Sequence, residues 1–239
     1  MKKKIIVIAI ASLLAVSAVV GTTLAYFTDI DEKINIFTSG KVDITLNEVF
    51  DEDTAQLIPG VEIQKDVTIT LEEGSVDSYV WYTYAVPAAL DMENGKVVHV
   101  NHAGRNSLAH REDPAYWVDS QNKKPIDEDK CWIVNYEVKK NVAIDNVLYN
   151  VYTVLYNGML KAGEETTIGM TKVYCDTAVD FDNDSGKYTL NGQDIDFDLN
   201  DVKIIVTAYG IQAATFENVK AAYEAYNTTG GTSVSVDID

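Results

Sequence analysis

The run YVWYTY at residues 79–84 decides the fold class of this chain. All of its residues are aromatic or β-branched, the types that pack best on the pleated surface of a strand. Shorter runs with alternating apolar residues precede it at 41–46 and between 61 and 71, and Pro59-Gly60 is a strong turn signal between them. Short strands at this spacing predict an all-β protein whose antiparallel sheets pack as a β-sandwich.

Strands are also predicted after that run. The dipeptide Asn191-Gly192 is typical of a two-residue hairpin turn. This turn sets Tyr188 opposite Ile195 on one face and Lys187 opposite Asp196 on the other, and both pairs are favourable. The other predicted strands on this side lie at residues 131–134, 148–156, 166–174 and 202–208.

One amphipathic helix is predicted near the C-terminus. Thr215 is the expected N-cap, Glu217 lies in the first turn, and Gly230-Gly231 ends the helix. Four apolar side chains fall on one face at helical spacing: Phe216, Val219, Tyr223 and Tyr226.

Two stretches lack this regularity. Residues 91–130 are rich in Asn, Asp, Lys, Pro and Gly, and we interpret them as a long excursion between strands of one sandwich domain that spans 38–228. Residues 229–239 alternate like a strand beyond two glycines. They form either a loose tail or an extra edge strand.

The first 25 residues have the pattern of a secretory signal peptide. Lysines at 2–4 precede an apolar run at 5–20, which is too short to span a bilayer comfortably. Thr23 and Ala25 place small residues at positions −3 and −1 of a cleavage site, so we expect the mature chain to begin at Tyr26. The alternative is a retained N-terminal membrane anchor.

A strand is predicted at the new N-terminus, over residues 26–37. Because no hairpin partner precedes this strand, its backbone groups could pair with the sheet of another subunit, or it could form an edge strand of its own sandwich. Its even-numbered positions form a mostly apolar face that consists of Tyr26, Thr28, Ile30, Ile34 and Ile36.

The chain is strongly acidic. Its 19 basic and 37 acidic residues give a net charge of −18, which becomes −21 once the three lysines of the signal peptide are removed. Such a charge repels nucleic acid and anionic membranes, and it makes cations the natural small partners. Roughly 214 mature residues can bury a core without a disulfide scaffold. Cys131 and Cys175 could therefore be bridged or could be two buried thiols.

Two groups of residues are candidates for metal binding, against the plainer alternatives of a solvated acidic face and exposed histidines. Closely spaced carboxylates could bind calcium, although the first three do not form an EF-hand loop because their glycine falls at the seventh position. The histidines could hold zinc, although no His-Glu-x-x-His motif is present. The candidate calcium ligands are Asp180, Asp182, Asp184, Asp194, Asp196 and Asp198, of which the last three would form a row on a strand, and the candidate zinc ligands are His99, His102 and His110.

Several segments, in order along the chain, resemble the TasA/camelysin family of secreted Gram-positive proteins, whose signal peptides are cut by a SipW-type signal peptidase. The N-terminal block is the most specific of them. The matching segments are GTTLAYFTD at 21–29, FTSGKVDI at 37–44, Ile58-Pro59-Gly60 with Lys65, Asp77-Ser78-Tyr79-Val80, and IIVTAYGIQA at 204–213.

The resemblance implies a jelly-roll-like sandwich. In fibre-forming members it also implies subunits joined head to tail by an N-terminal strand that inserts into the next subunit's sheet. We therefore expect a noncatalytic subunit of a biofilm matrix or surface fibre, a homopolymer outside the cell that is free of the membrane once processed. Calcium is the one candidate cofactor.

Two other functions remain open. Part of the family carries a metallopeptidase label, which implies a camelysin-like cell-surface metallopeptidase. The aromatic residues Tyr116 and Trp117 could instead serve a surface adhesion or glycan-binding module. No Gly-x-Ser-x-Gly motif or phosphate-binding glycine loop points to another enzyme class.

Overall fold

The computed structural model describes residues 28–29, 41–51, 55–103 and 130–228. Within these ranges, single turns of 3₁₀ helix occur at Ala88–Leu90 and Leu199–Asp201, and one α-helix, α1, spans Val219–Thr228. The strands of this part of the chain are β1 (Thr28–Asp29), β2 (Ile44–Val49), β3 (Glu62–Gln64), β4 (Asp66–Leu71), β5 (Ser78–Pro87), β6 (Asp91–Met92), β7 (Gly95–Lys96), β8 (Val98–His102), β9 (Trp132–Ile144), β10 (Val147–Leu160), β11 (Met170–Cys175), β12 (Val179–Asp182), β13 (Lys187–Leu190), β14 (Gln193–Asp194) and β15 (Ile205–Gln212).

The larger sheet has five antiparallel strands in the order β1-β15-β5-β10-β9. On one side of β5, β15 pairs without a register shift from Ile205 opposite Ala85 to Gln212 opposite Ser78. On the other side, the register of β10 shifts once, between Leu155 and Met159. β5 is therefore the central strand of this sheet.

The second layer forms around the segment that leads into β11. β11 pairs with β3 and β8, and β2 pairs with β4. Backbone hydrogen bonds also join β4 to the residues before β11. The Thr166 N–H donates to the Ile69 carbonyl at 2.9 Å, and the Gly169 N–H donates to the Val67 carbonyl at 2.8 Å. Across this layer, β2 lies at one edge and β8 at the other. Between them lie β3 and β4, which follow one another along the chain, and then β11 with the segment that precedes it.

β5, which contains the YVWYTY run, is buried on both faces. Val80 and Tyr82 face the core between the two layers, where the Tyr82 and Trp132 rings meet edge to face at 5.0 Å between centroids. Tyr79 and Trp81 face the opposite side and belong to a second apolar cluster. Each fully buried side chain of this size contributes about 1.5–3 kcal/mol to stability. The predicted antiparallel all-β sandwich is confirmed.

Helix α1 covers the outer face of the larger sheet. Val219 and Tyr223 are buried against it. The Trp81 ring meets the Tyr223 ring at 5.6 Å and the Tyr226 ring at 5.3 Å between centroids. The predicted apolar face of the helix is therefore confirmed. It covers the face of β5 that points away from the second layer.

The predicted start of this helix is wrong by one turn. Asn218, and not Thr215, caps it, since the Asn218 Oδ1 accepts hydrogen bonds from the N–H groups of Lys220 and Ala221 at 3.1 and 3.0 Å. An Asn side chain is at least as good an N-cap as Thr, so local sequence alone left the choice open.

The hairpin at Asn191-Gly192 has the predicted register. The Ile195 N–H donates to the Tyr188 carbonyl at 2.8 Å. The expected row of carboxylates beyond it is wrong, because β14 ends at Asp194. Asp198 instead begins a 3₁₀ turn, where its Oδ1 accepts from the Asn200 N–H at 2.9 Å.

The predicted excursion over 91–130 begins later than expected. β6, β7 and β8 lie within its first dozen residues, and β8 belongs to the second layer. The sequence VHVNH of β8 does alternate, but its polar neighbours obscured the period of two. Residues 104–129 and the tail at 229–239 lie outside the described residues.

Gly169 provides a test of the packing between the layers. A Cβ atom there would lie 2.7 Å from Cε1 of Tyr82 and 3.0 Å from Cε2 of Trp132, two rings that are fully buried. We expect Gly169→Ala to lower the free energy of unfolding by about 1–3 kcal/mol, since the rings must shift to admit the methyl group. Urea denaturation measures this loss.

Gly186→Ala is the matched control. Its Cβ would meet nothing within 4 Å, and only its φ of +70° opposes the change, at a cost of about 1 kcal/mol. A smaller loss in Gly169→Ala than in Gly186→Ala would contradict the tight contact at Gly169.

Candidate functional site

The outer edge of β15 is the candidate functional site, because it receives the N-terminal strand. β1 pairs with it antiparallel, with Thr28 opposite Ile211 and Asp29 opposite Gly210. Within the described ranges, no strand pairs with the outer edge of residues 205–209. The described residues consequently leave the outward N–H and C=O groups of this stretch available for strand pairing.

β2 is the edge strand of the second layer and lies across from β15. A Cβ atom on Gly210 would lie 3.1 Å from Cγ2 of Ile44 and 3.2 Å from Cγ1 of Val42, and both of these side chains are buried. Only glycine fits at such an approach without displacing its neighbours. The two layers therefore converge at the position where β1 pairs.

Of the predicted assembly residues, the structure places only Thr28. It pairs within its own chain, as the edge-strand alternative expects. Donation of the strand to another subunit stays a prediction. The remaining assembly and cleavage-site residues lie outside the described residues, namely Thr23, Ala25, Tyr26, Ile30, Ile34 and Ile36.

The described histidines do not come together. His99 and His102 lie three residues apart on β8, so they point to opposite faces of the strand. The His99 Nε2 lies 2.7 Å from Oδ2 of Asp176. The His102 Nδ1 lies 2.9 Å from the Tyr82 hydroxyl, inside the sandwich. His110, the third predicted zinc ligand, is not among the described residues.

No group of three or more His, Cys, Asp or Glu side chains in the described ranges could hold a metal ion. A protein zinc site uses three or four such ligands. In the same ranges, none of the helices has the length and apolar character needed to cross a membrane.

Comparison with known families decides the assignment. The family model described as camelysin metallo-endopeptidase matches residues 1–184, which is more than half of the chain. The chain belongs to the camelysin family. No curated protein and no solved structure matches it. The match confirms the resemblance drawn from the sequence segments.

The camelysin family name includes a metal-dependent peptidase activity. Such a peptidase uses a bound metal ion to generate its nucleophile from water, and it holds the ion with a set such as two histidines and a carboxylate. His99 and Asp176 supply two groups of the right chemistry, and the described residues bring no third to them.

The predicted calcium ligands make local contacts in and around the β12–β13–β14 hairpins. Asp182 accepts hydrogen bonds from the Ser185 hydroxyl at 2.7 Å and from the Asp184 N–H at 2.9 Å, and these bonds lower the pKa of Asp182. Asp194 lies 3.3 Å from the Lys187 ammonium. Asp180 and Asp196 are exposed. Calcium binding stays a prediction.

Cys131 and Cys175 are thiols that form no disulfide with each other, and both are buried. Burial, followed by the nearby charge of Asp176, raises the pKa of the Cys175 thiol. Cys175 therefore acts as a small neutral core residue. Of the two interpretations drawn from the sequence, the buried thiols are the correct one.

A polar cluster around Asp91 was not predicted from the sequence. The Asp91 Oδ2 accepts hydrogen bonds from the Asn150 amide and the Tyr152 hydroxyl, both at 2.8 Å, and the Lys96 ammonium lies 3.0 Å from the same hydroxyl. Burial alone would raise the pKa of Asp91, but the Tyr152 hydrogen bond and the Lys96 charge lower it. No local motif could reveal this cluster, because its members come from β6, β7 and β10.

A groove of about 690 Å³ opens at the end of the sandwich, where β10 bulges away from β5. Its size lies within the range of small-molecule pockets. One of its carboxylates, on Glu165, already accepts a hydrogen bond from the Thr68 hydroxyl at 2.6 Å. The charged residues of its lining are Lys130, Glu164, Glu165 and Glu217, so its balance is negative.

His102 makes the fold sensitive to acid. Burial lowers the pKa of His102 to about 4, whereas the unfolded value is about 6.5. Because the unfolded chain binds the proton more tightly, His102 lowers stability as the pH falls from about 6.5 towards 4, by an amount on the order of 2 kcal/mol. We expect His102→Phe to flatten the pH dependence of the melting temperature across this window.

Circular dichroism melts at several pH values measure this slope. An unchanged slope in His102→Phe would show that other groups cause the acid sensitivity.

Proposed function

We propose that this camelysin-family protein is a secreted, noncatalytic subunit of an extracellular matrix or surface fibre. The observation that carries the proposal is the edge of β15, a strand that pairs regularly with β5 along its whole length and that receives the N-terminal segment at Thr28 and Asp29. An N-terminal strand on a regular sheet edge is a geometry that suits exchange between identical subunits.

The proposed assembly step moves the N-terminal strand from its own sheet to a neighbour. Thr28 and Asp29 would take the same places on the β15 strand of the next subunit that they hold in the monomer. Exchange of an identical element costs little, because the strand makes the same hydrogen bonds with the neighbouring subunit as with its own sheet. Continued in the same register, Ile30 would lie opposite Tyr209 and Ile34 opposite Ile205.

Export would prepare this strand. In the proposal, a SipW-type signal peptidase cuts after Ala25, which frees the chain and makes Tyr26 the first residue of the connecting strand. The mature net charge of −21 makes subunits repel one another at long range. Backbone hydrogen bonds and the burial of Ile30, Ile34 and Ile36, each worth about 1.5–3 kcal/mol when complete, would have to overcome that repulsion.

Ile34→Asp tests the exchange. A carboxylate at this position would be buried against the accepting sheet, so we expect polymers to disappear. Because the same strand pairs with its own β15 in the monomer, we expect the monomer to stay folded with only a modestly lower melting temperature, since the sandwich keeps its other strands. Electron microscopy and circular dichroism melting of the mature protein give the two measurements.

Lys33→Asp is the control, since it places an acidic side chain one residue away on the opposite face of the strand, and its polymers should persist. Fibres of wild-type length from Ile34→Asp would refute the exchange. A strongly destabilised monomer would instead favour an edge strand that serves only its own sandwich.

The family name favours a second candidate function, a cell-surface metallopeptidase. We expect the purified mature protein to leave casein intact, because the described residues bring no third metal ligand to His99 and Asp176. Cleavage that a chelator stops and added zinc restores would overturn the noncatalytic proposal.

A further inference from the structure

The two edges of the larger sheet are built differently, and we infer that only one of them accepts a strand. β15 presents the accepting edge, and β9, at the opposite edge, is built to refuse a strand from a second copy of this chain. The inference rests on the proposed function, because it fixes how many neighbours each subunit can join by strand pairing.

β9 would otherwise be a strong template for association. It runs over 13 residues, and in the described part of the chain its outer edge has no partner. An exposed edge of that length, if regular, recruits strands from other molecules. Some feature of β9 must therefore interrupt the row of outward N–H and C=O groups.

Two bulges interrupt it, and both lie on β9. Between the pairs Tyr149–Val142 and Val151–Lys139, β9 advances one residue more than β10. Between Thr153–Glu137 and Leu155–Ile133, β9 advances two residues more than β10. A bulge bends its strand, increases the local twist and breaks the ladder pattern. The regular stretch between the two bulges is consequently short.

The bulges are fixed by the interior of the protein. Asn141 and Asn135 lie at the two register shifts with φ values of 56° and 53°, a left-handed conformation that Asn tolerates better than most residues. The Asn141 N–H donates to Oδ1 of Asn150 at 3.2 Å, and the Tyr84 hydroxyl donates to Oδ1 of Asn135 at 2.9 Å. Asn150 and Tyr84 are both buried, on β10 and β5. The inner strands thus hold the edge strand in its bulged form.

Lysines lie at one of the two bulges. Lys139 and Lys140, both exposed, fall at the edge of and within the register shift that precedes Val142. Lysine on an edge deters pairing, because an incoming strand would have to desolvate the ammonium group. β15, in contrast, has no charged residue and no register shift over Ile205–Gln212. One donated strand and one accepting edge per subunit produce an unbranched polymer.

Straightening β9 tests this asymmetry. The first variant combines Lys139→Val with Lys140→Thr, and the second adds deletion of Asn141 to remove one bulge. Each is made in the full-length mature protein, both wild type and Ile34→Asp. We expect the weight-average mass by light scattering to rise at least about twofold in the Ile34→Asp background, since two copies is the least that edge pairing can join.

Replacing lysines makes the net charge of this acidic protein more negative, and the added repulsion between subunits opposes a rise in the weight-average mass. Lys161→Val with Lys187→Thr, two exposed lysines outside β9, is the matched control and should leave the mass unchanged. Hydrogen exchange should show new protection on β9 in the associated variants.

The two proposals can fail separately. If wild-type protein forms no polymer, strand exchange is wrong, and the β9 variants should still associate. If the lysine variant melts like wild type and its mass in the Ile34→Asp background does not rise, the inference about β9 is wrong. Should the deletion variant fail to fold, the lysine variant decides the outcome.

Discussion

The structure depends on one strand that must be covered on both faces. The side chains of β5 alternate between two apolar clusters, with Tyr82 in the core between the layers and Trp81 beneath α1. A central strand with aromatic residues on both faces cannot belong to a two-layer sandwich alone, because one face would remain in water. The helix supplies the third layer. With both faces occupied, the edges of the larger sheet are the surfaces left for strand pairing.

Sequence patterns predicted the elements whose signal is local. The YVWYTY run, the Asn191-Gly192 hairpin and the apolar face of the helix all carry their own periodicity, and each was found. The failures occurred where a side chain competed with the backbone or where the partners came from distant segments. Asp198 accepts a hydrogen bond from an N–H group of its own 3₁₀ turn, so it does not continue the strand that would have aligned the carboxylates. The cluster at Asp91 needs three strands to assemble it.

Only part of the candidate site could be predicted from the sequence, because the partner of its strand comes from a distant segment. A period of two reports that one face of a strand is buried, but not whose sheet buries it. The sequence therefore predicted a pairing strand at 26–37, and the structure added that Thr28 and Asp29 lie on β15 of the same chain. The difference between the β15 and β9 edges was not predictable at all, since Asn135 and Asn141 become bulge residues only once the register with β10 is known. Neither family membership nor fold establishes a chemical activity, which has to be argued from the residues of a site. The described residues bring together no metal-binding group.

The unbroken pairing of β15 with β5 has a mechanical consequence. Tension applied along β15 would load its eight pairs with β5 together, in shear, whereas the described part of β1 pairs with β15 at two residues. Antiparallel ladders resist sliding as a group, because several hydrogen bonds must break before any residue advances. Suppose that the donated strand pairs in the same way and that its remaining residues add fewer pairs than the eight between β15 and β5. A stretched filament then breaks between subunits and not within one. Each fragment would keep a folded sandwich with a free strand at one end and an open edge at the other, ready to rejoin.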